Sequence, residues 1–285
     1  MKEEFCRILG EKVRYLRIGN QNSLHKIVIL HGWDPTKIVS EGFIPLAKIF
    51  AKKLSAEIII PDLPGFGQSP LPAKKYINTD CRNFCEDPKQ AEVIIEKGWS
   101  VWDYSDWLEE FLADLDFKSP ILYGHSFGCR IIVRFLLRNK NFAGKIILTS
   151  AAGICLPLSW RQKLSRFLAK AFPLAKKIVP RNFQKFIVKK VFGARDWGNC
   201  PPELKETFQK IIAEPCLGGS LSQIKNEVLL IWGKKDSVTP LEAGRIFRKR
   251  LKNSQLKTIP EGRHGIHHTH TEKVAEFVVD FLKKR

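Results

Sequence analysis

The 285-residue chain has no apolar run near the about 18 residues that cross a bilayer as a helix. Its first residues, Met1-Lys2-Glu3-Glu4-Phe5-Cys6, are charged and offer no apolar core of a secretory signal. A cytoplasmic protein is therefore expected. No C-x-x-C pair occurs among the seven cysteines, whose count is odd and whose spacings are scattered. Reduced, mostly buried thiols are expected, with a local Cys81–Cys85 pair or metal clip as the alternative. Acidic residues are scarce: 29 Asp and Glu stand against 48 Lys and Arg, a formal net charge of +19. Such a surplus points to anionic partners or to a heavily solvated surface. Apolar residues are plentiful at 44%, enough to bury a sizeable core, which excludes a disordered chain.

Short, wholly apolar runs recur, each stopped by glycine, proline or a polar turn. They are Lys26–Leu30, Glu57–Ile60, Pro120–Tyr123, Lys145–Thr149 and Val228–Trp232; Leu256-Lys257-Thr258-Ile259 is a further short run of mixed polarity. Strands buried on both faces of a parallel sheet read this way. Helical patterns lie between them, at Ser105–Leu115, Cys129–Asn139 and Thr271–Lys284. The alternation predicts an α/β fold, a mostly parallel central sheet flanked by helices. Two stretches interrupt it. Residues 71–98 read as a loop insertion with a short helical patch near Gln90–Lys97. Residues 154–224 show no strand pattern but helical periodicity at Trp160–Ala171 and Phe183–Phe192, broken by prolines. They read as a helical cap inserted before the penultimate strands, on a core of 1–153 and 225–285.

The chemistry centres on Gly124-His125-Ser126-Phe127-Gly128, a G-x-S-x-G between an apolar strand and an apolar helix. A serine on so sharp a turn presents its hydroxyl above the sheet edge, beside a helix N-terminus. It needs a base, and the base an orienting acid. Asp236 follows the strand Val228–Trp232, and His264 follows Leu256–Ile259. Both lie past C-terminal strand ends, the edge where open α/β sheets place their sites. The loop Ser150-Ala151-Ala152-Gly153 after the preceding strand has no carboxylate to compete with Asp236. Two backbone donors are expected for an oxyanion: the N–H of Phe127 and that of Trp33 in His31-Gly32-Trp33-Asp34. His31, Gly32, Gly124, His125 and Gly128 would support the pocket and elbow. His267, His268 and His270 are expected as solvated surface histidines opening the last helix, and no metal site is expected.

These pieces resemble the α/β-hydrolase superfamily in its capped branch of serine hydrolases. The resemblance rests on His31-Gly32-Trp33, on Asp62-Leu63-Pro64-Gly65-Phe66-Gly67-Gln68-Ser69-Pro70, on Gly124–Gly128, on Trp232-Gly233-Lys234-Lys235-Asp236 and on Gly262-Arg263-His264, in family order. It implies hydrolysis through an acyl-enzyme, with Ser126 as nucleophile, His264 as base, Asp236 as acid and no cofactor. A carboxylic ester of a small or lipid-like substrate is the expected target. C–C bond hydrolysis, perhydrolase or acyltransferase use of the same triad, and a non-catalytic ligand-binding member are the alternatives. The chain departs from the pattern at Cys129, where a second glycine is common, in the length of its 71–98 insertion, and after His264, where the usual proline and acidic stretch are missing.

Residues 159–197 hold eleven lysines and arginines against the single acid Asp196, a local balance of +10, interleaved with Leu164, Phe167, Phe172, Phe183, Phe186 and Phe192. Basic amphipathic segments of this kind lie on membrane surfaces; they also arise when an apolar face covers a pocket while the charges meet water. No nucleic-acid module is present, so no nucleic-acid partner is expected, and the chain is expected as a monomer or homodimer. Docking on an anionic surface predicts co-sedimentation with phosphatidylserine vesicles at low ionic strength and release by salt. A chain that stays in the supernatant at low salt, with activity indifferent to the vesicles, sinks that idea.

Overall fold

The computed structural model describes residues 1–34, 39–77, 93–96, 98–156 and 200–283. Eight strands form one sheet: β1 (Lys2–Ile8), β2 (Glu11–Gly19), β3 (Lys26–Leu30), β4 (Glu57–Pro61), β7 (Ile121–His125), β8 (Ile146–Thr149), β9 (Val228–Gly233) and β10 (Ser254–Ile259). Their spatial order is β1-β2-β4-β3-β7-β8-β9-β10. β1 and β2 run antiparallel to each other and β2 to β4, while every pairing from β4 to β10 is parallel. The five longer apolar runs and Leu256–Ile259 all lie in strands of this sheet, within a few residues of their expected bounds.

Side chains alternate between two core layers, as the two-residue period of a strand demands. Val28, Leu30, Leu122, Leu148 and Leu230 face one side, packed under α2 (Val101–Asp114), α3 (Phe127–Arg138) and α5 (Leu241–Arg250). Ile27, Ile29, Tyr123, Ile147 and Ile231 face the other, under α1 (Ile44–Leu54) and α7 (Thr271–Lys283). Helix α2 opens with a capping box, Ser100 with Asp103. Between β8 and β9 the described residues include α4 (Lys205–Ala213) and short 3-10 turns. The expected helical periods at 160–171 and 183–192, the basic stretch 159–197 and the Cys81–Cys85 pair lie outside the described residues.

Two expectations change. The patch at Gln90–Lys97 is not helical where it is described: β6 (Val93–Glu96) pairs antiparallel with β5 (Lys74–Ile77) in a separate two-stranded sheet. Val93, Ile94 and Ile95 are β-branched and favour a strand. The thiols are not all reduced: Cys155 and Cys216, both exposed, form a disulfide. Cys6, Cys129 and Cys200 are free. The N-terminal hairpin is an addition. Its two-residue turn, Leu9-Gly10, has positive φ at both positions (51° and 84°), the primed geometry that matches strand twist.

Three imidazoles are enclosed near the C-terminal edge of the sheet: His31, His125 and His267 are 0%, 5% and 4% exposed. Burial lowers the pKa of each, that of His267 to about 2, and they fold as neutral rings. The unfolded chain protonates them below about pH 6.5. Because the unfolded state then binds more protons, stability falls as pH drops through that value.

Two measurements follow from this architecture. Urea unfolding at pH 5.5 is expected to show less stability than at pH 7.5, by about 1 kcal/mol for each buried histidine; equal midpoints would argue against neutral buried rings. The disulfide joins positions 61 residues apart, so Cys216→Ser should cost about 2–4 kcal/mol through the freed unfolded chain. Non-reducing peptide mapping that finds both thiols free, with no effect of a dithiol on unfolding, would refute the cross-link.

Candidate functional site

The site grows from the turn between β7 and α3. Ser126 has φ 51° and ψ −107°, outside the usual regions for a residue with a side chain. Its N–H donates to the Thr149 carbonyl at 3.0 Å, and its carbonyl accepts from Cys129 N at 3.2 Å and Ala152 N at 3.1 Å. The flanking glycines are forced by close approach. A Cβ on Gly124 would lie 2.8 Å from Ile132 Cδ1, and one on Gly128 would lie 2.3 Å from the Leu30 carbonyl oxygen. Cys129, where a second glycine is common in the resembled family, is accommodated fully buried with Sγ 3.6 Å from Thr149 O. Burial pushes its thiol up, so it stays protonated.

The loop after β3 passes directly beside this turn. A Cβ on Gly32 would lie 3.1 Å from the His125 ring and 3.2 Å from Ser126 Cβ. His31 holds the loop: its Nε2 accepts from Leu63 N at 3.0 Å, leaving Nδ1–H to donate to the Gly32 carbonyl at 2.8 Å. The turn 62–70 is braced in its turn by Asp62, which accepts from Gln68 N at 3.0 Å and from Arg14 at 3.2 Å, and is hydrogen-bonded by Ser40. Trp33 makes edge-to-face contacts with Phe66 and Phe127 at 5.1 and 5.6 Å. The backbone N–H groups of Trp33 and Phe127 enter no hydrogen bond among the described residues.

Asp236 and His264 meet because the loops after β9 and β10 are fastened together. Lys235 N donates to Gly262 O at 2.8 Å and Lys234 N to Ile259 O at 2.9 Å. His264 Nδ1 lies 3.0 Å from Asp236 Oδ2 and 3.2 Å from Oδ1. The carboxylate also accepts on Oδ1 from Val238 N and Thr239 N, both at 2.9 Å. Burial alone would raise its pKa. The hydrogen bond and charge of His264 and the backbone donors outweigh burial and hold it low. The Asp236 side chain is 0% exposed and that of His264 24%, so the imidazole can reach a substrate while the carboxylate is sealed behind it. His264 packs at 4.9 Å between ring centroids on His125, the residue before Ser126. Among the described residues no hydrogen bond joins Ser126 Oγ to His264, a contact that is often long or poorly aligned until substrate is bound.

The sequence singled out His125 without its partner: its Nδ1–H donates to Thr149 Oγ1 at 3.2 Å, which donates to Gly124 O at 3.0 Å. The expectation for His267 is overturned. It lies in the short helix α6 (Ile266–Thr269) and is buried, stacked at 4.1 Å on Phe43 and 4.3 Å from the His125 ring. The apolar Phe43 and Ile266 beside it draw the loop inward, whereas His268 is exposed. Among the described residues no group of three His, Cys, Asp or Glu is arranged to hold a metal ion. No described helix is long and apolar enough to cross a membrane. Sequence reasoning missed Thr239, whose hydroxyl lies 2.9 Å from Asp236 Oδ2 and 3.2 Å from His264 Nδ1. The signal was present: a polar side chain three residues beyond an aspartate, in a turn that opens a helix.

Comparison with known proteins places the fold in context. Over 287 aligned residues the chain is 20% identical to 2-hydroxymuconate semialdehyde hydrolase of Pseudomonas putida, covering 94% of this chain and 92% of that one. An esterase from Exiguobacterium antarcticum superposes with a TM-score of 0.68 at 20% identity, over 98% of this chain and 99% of the other. A membrane phospholipase A, a bacterial virulence factor, superposes with a TM-score of 0.68 at 18% identity, over 99% of this chain and 85% of the other. The alpha/beta hydrolase family model matches residues 27–277, from the first parallel strand into the last helix, and the chain belongs to that family.

Proposed function

We propose that the chain is a serine hydrolase that cleaves carboxylic esters through an acyl-enzyme. The observation that carries this reading is the strained Ser126 turn at the sheet edge where His264 is hydrogen-bonded to the sealed Asp236 carboxylate. In this mechanism Ser126 Oγ attacks the ester carbonyl carbon as His264 Nε2 takes its proton. Asp236 keeps the Nδ1–H tautomer and stabilises the imidazolium. The oxyanion is received by the N–H groups of Trp33 and Phe127. The alcohol leaves with the proton from His264. Water, deprotonated by the same imidazole, then releases the acid, and Ser126 recovers its proton. His31, Gly32, Gly124, His125 and Gly128 keep the two donor segments in register.

The fold likeness to an esterase and to a membrane phospholipase A agrees with an ester, and the basic stretch 159–197 with a lipid-like one at an anionic surface. A chain peripheral to the membrane fits that reading. A second reading is C–C bond hydrolysis. It is favoured by the similarity to 2-hydroxymuconate semialdehyde hydrolase over nearly the whole chain.

Ser126→Ala should lower turnover of short p-nitrophenyl esters by at least about a thousandfold and abolish labelling by a fluorophosphonate probe. Undiminished turnover in that variant would falsify the nucleophile. A panel of acyl chain lengths run beside 2-hydroxymuconate semialdehyde separates the two readings: faster turnover of the semialdehyde than of any ester selects the second.

A further inference from the structure

Thr239 ends the stretch Asp236-Ser237-Val238-Thr239, and Pro240 leads into α5. Its main chain is held on both sides. The N–H donates to Asp236 Oδ1 at 2.9 Å, and the carbonyl accepts from the indole of the fully buried Trp232 at 2.7 Å. With the backbone fixed, Oγ1 lies 2.9 Å from Asp236 Oδ2, 3.0 Å from the Ser150 carbonyl oxygen and 3.2 Å from His264 Nδ1. The residue is 9% exposed, so water has little access to this hydroxyl.

A threonine hydroxyl has one proton and two lone pairs. The ionised carboxylate and the carbonyl only accept, so the proton goes to one of those two oxygens. The Nδ1–H of His264 points at Asp236, and the hydroxyl oxygen stands beside that bond as a second acceptor. One side chain thereby touches the carboxylate, the imidazole and the residue that follows β8, whose last strand residue Thr149 takes the Ser126 N–H.

We propose that Thr239 is a positioning residue of this site: its hydroxyl gives its proton to Asp236 Oδ2 and so fixes the plane of that carboxylate and the Nδ1–H tautomer of His264. The proposal rests on the reading of Ser126, His264 and Asp236 as a hydrolytic triad. Valine has nearly the same shape without the donor. In Thr239→Val, Oδ2 keeps His264 as its side-chain donor and gives up the hydroxyl. More of its charge then falls on the imidazole, which favours the imidazolium, and the carboxylate loses one restraint on its rotation. The groups facing His264 are Asp236 from the loop after β9, His125 from the turn before α3, and His267 from α6; Arg263 precedes it and is exposed. The substitution replaces none of these residues and acts on His264 only through the lost hydroxyl and its bond to Asp236.

The experiment compares Thr239→Val and Thr239→Ser with wild type. It measures kcat and KM for a short p-nitrophenyl ester across pH, fluorophosphonate labelling, and the downfield proton resonance of His264 Nδ1–H. For the valine variant kcat should fall about tenfold, the loss expected for one hydrogen bond to a charged group, with KM within about twofold. The acid limb of kcat/KM should move to higher pH and the resonance should shift. Serine, which restores the hydroxyl, should bring all of these back toward wild type. A valine variant with wild-type kcat, pH profile and resonance overturns the proposal. So does equal loss in both variants with a lowered Tm and an unmoved pH profile, the mark of a purely structural threonine. A wild type that neither turns over esters nor takes the probe overturns the triad reading by itself, and the resonance then decides whether Thr239 sets the Asp236–His264 contact.

Discussion

The backbone of Ser126 is the constraint on which the rest of the site depends. A non-glycine residue at φ 51° and ψ −107° costs about 1–3 kcal/mol. The cost is met locally by the Ser126 N–H on Thr149 and by the two N–H groups that reach its carbonyl. Only with this turn does α3 start immediately behind the strand, with Phe127 as its first residue. The same tightness dictates Gly124 and Gly128, and brings the Leu30 and His31 carbonyls against the first turn of α3. The second candidate donor, Trp33, is positioned by that contact. A bulkier residue at 128 would push apart the two segments that carry Trp33 and Phe127, so what reads in sequence as a nucleophile motif is in structure mainly a rule about spacing.

What was legible in the sequence follows from burial. The parallel strands are apolar on both faces because helices cover both, and such runs announce themselves. Asp236 and His264 were legible because each follows a strand end. The N-terminal hairpin was not, because charge hides its pattern. Arg14 and Arg17 in β2 look like solvent-facing residues. Yet Arg14 is ion-paired with Glu3, Glu41 and the buried Asp62, and Arg17 with Glu4 and the fully buried Glu57, which also takes Lys26. Partners that lie far apart in sequence decide whether an arginine can be buried, and periodicity does not see them. His267 was hidden for the same reason: it is defined by stacking on Phe43 and His125. The disulfide likewise joins cysteines with no shared motif.

The histidines around Ser126 illustrate how one residue type takes opposite roles. His31 and His125 are locked by hydrogen bonds that use Nδ1 as donor, and burial keeps both neutral. Each serves as a rigid polar spacer, one under the loop of Trp33 and one behind the turn. His264 is the exception among the rings at this edge, since its Nδ1 faces a carboxylate and its side chain remains partly exposed. In the proposed mechanism His264 gains a proton, which calls for a compensating anion and uncharged neighbouring rings. Neutral His125 at 4.9 Å satisfies that requirement, and so does neutral His267 behind it.

Helix α3 also carries the ion pairs that hold the segment between β8 and β9. Four and eight residues after Ser126, the buried Arg130 and Arg134 converge on Glu214, at 3.6 and 3.3 Å. Glu214 also accepts from Val101 N at the start of α2. Burial lowers the pKa of Arg130, Glu214 offsets part of that, and Arg134 adds to it, as expected for two guanidinium groups sharing one carboxylate. Next to Glu214 lie the Cys155–Cys216 disulfide and the hydrogen bond from Leu217 N to Gly153 O. Where the chain leaves the sheet after β8 and returns toward β9, these contacts fasten it to the helix whose first residue is Phe127. Losing Glu214 would leave two buried cations unpaired on α3 itself.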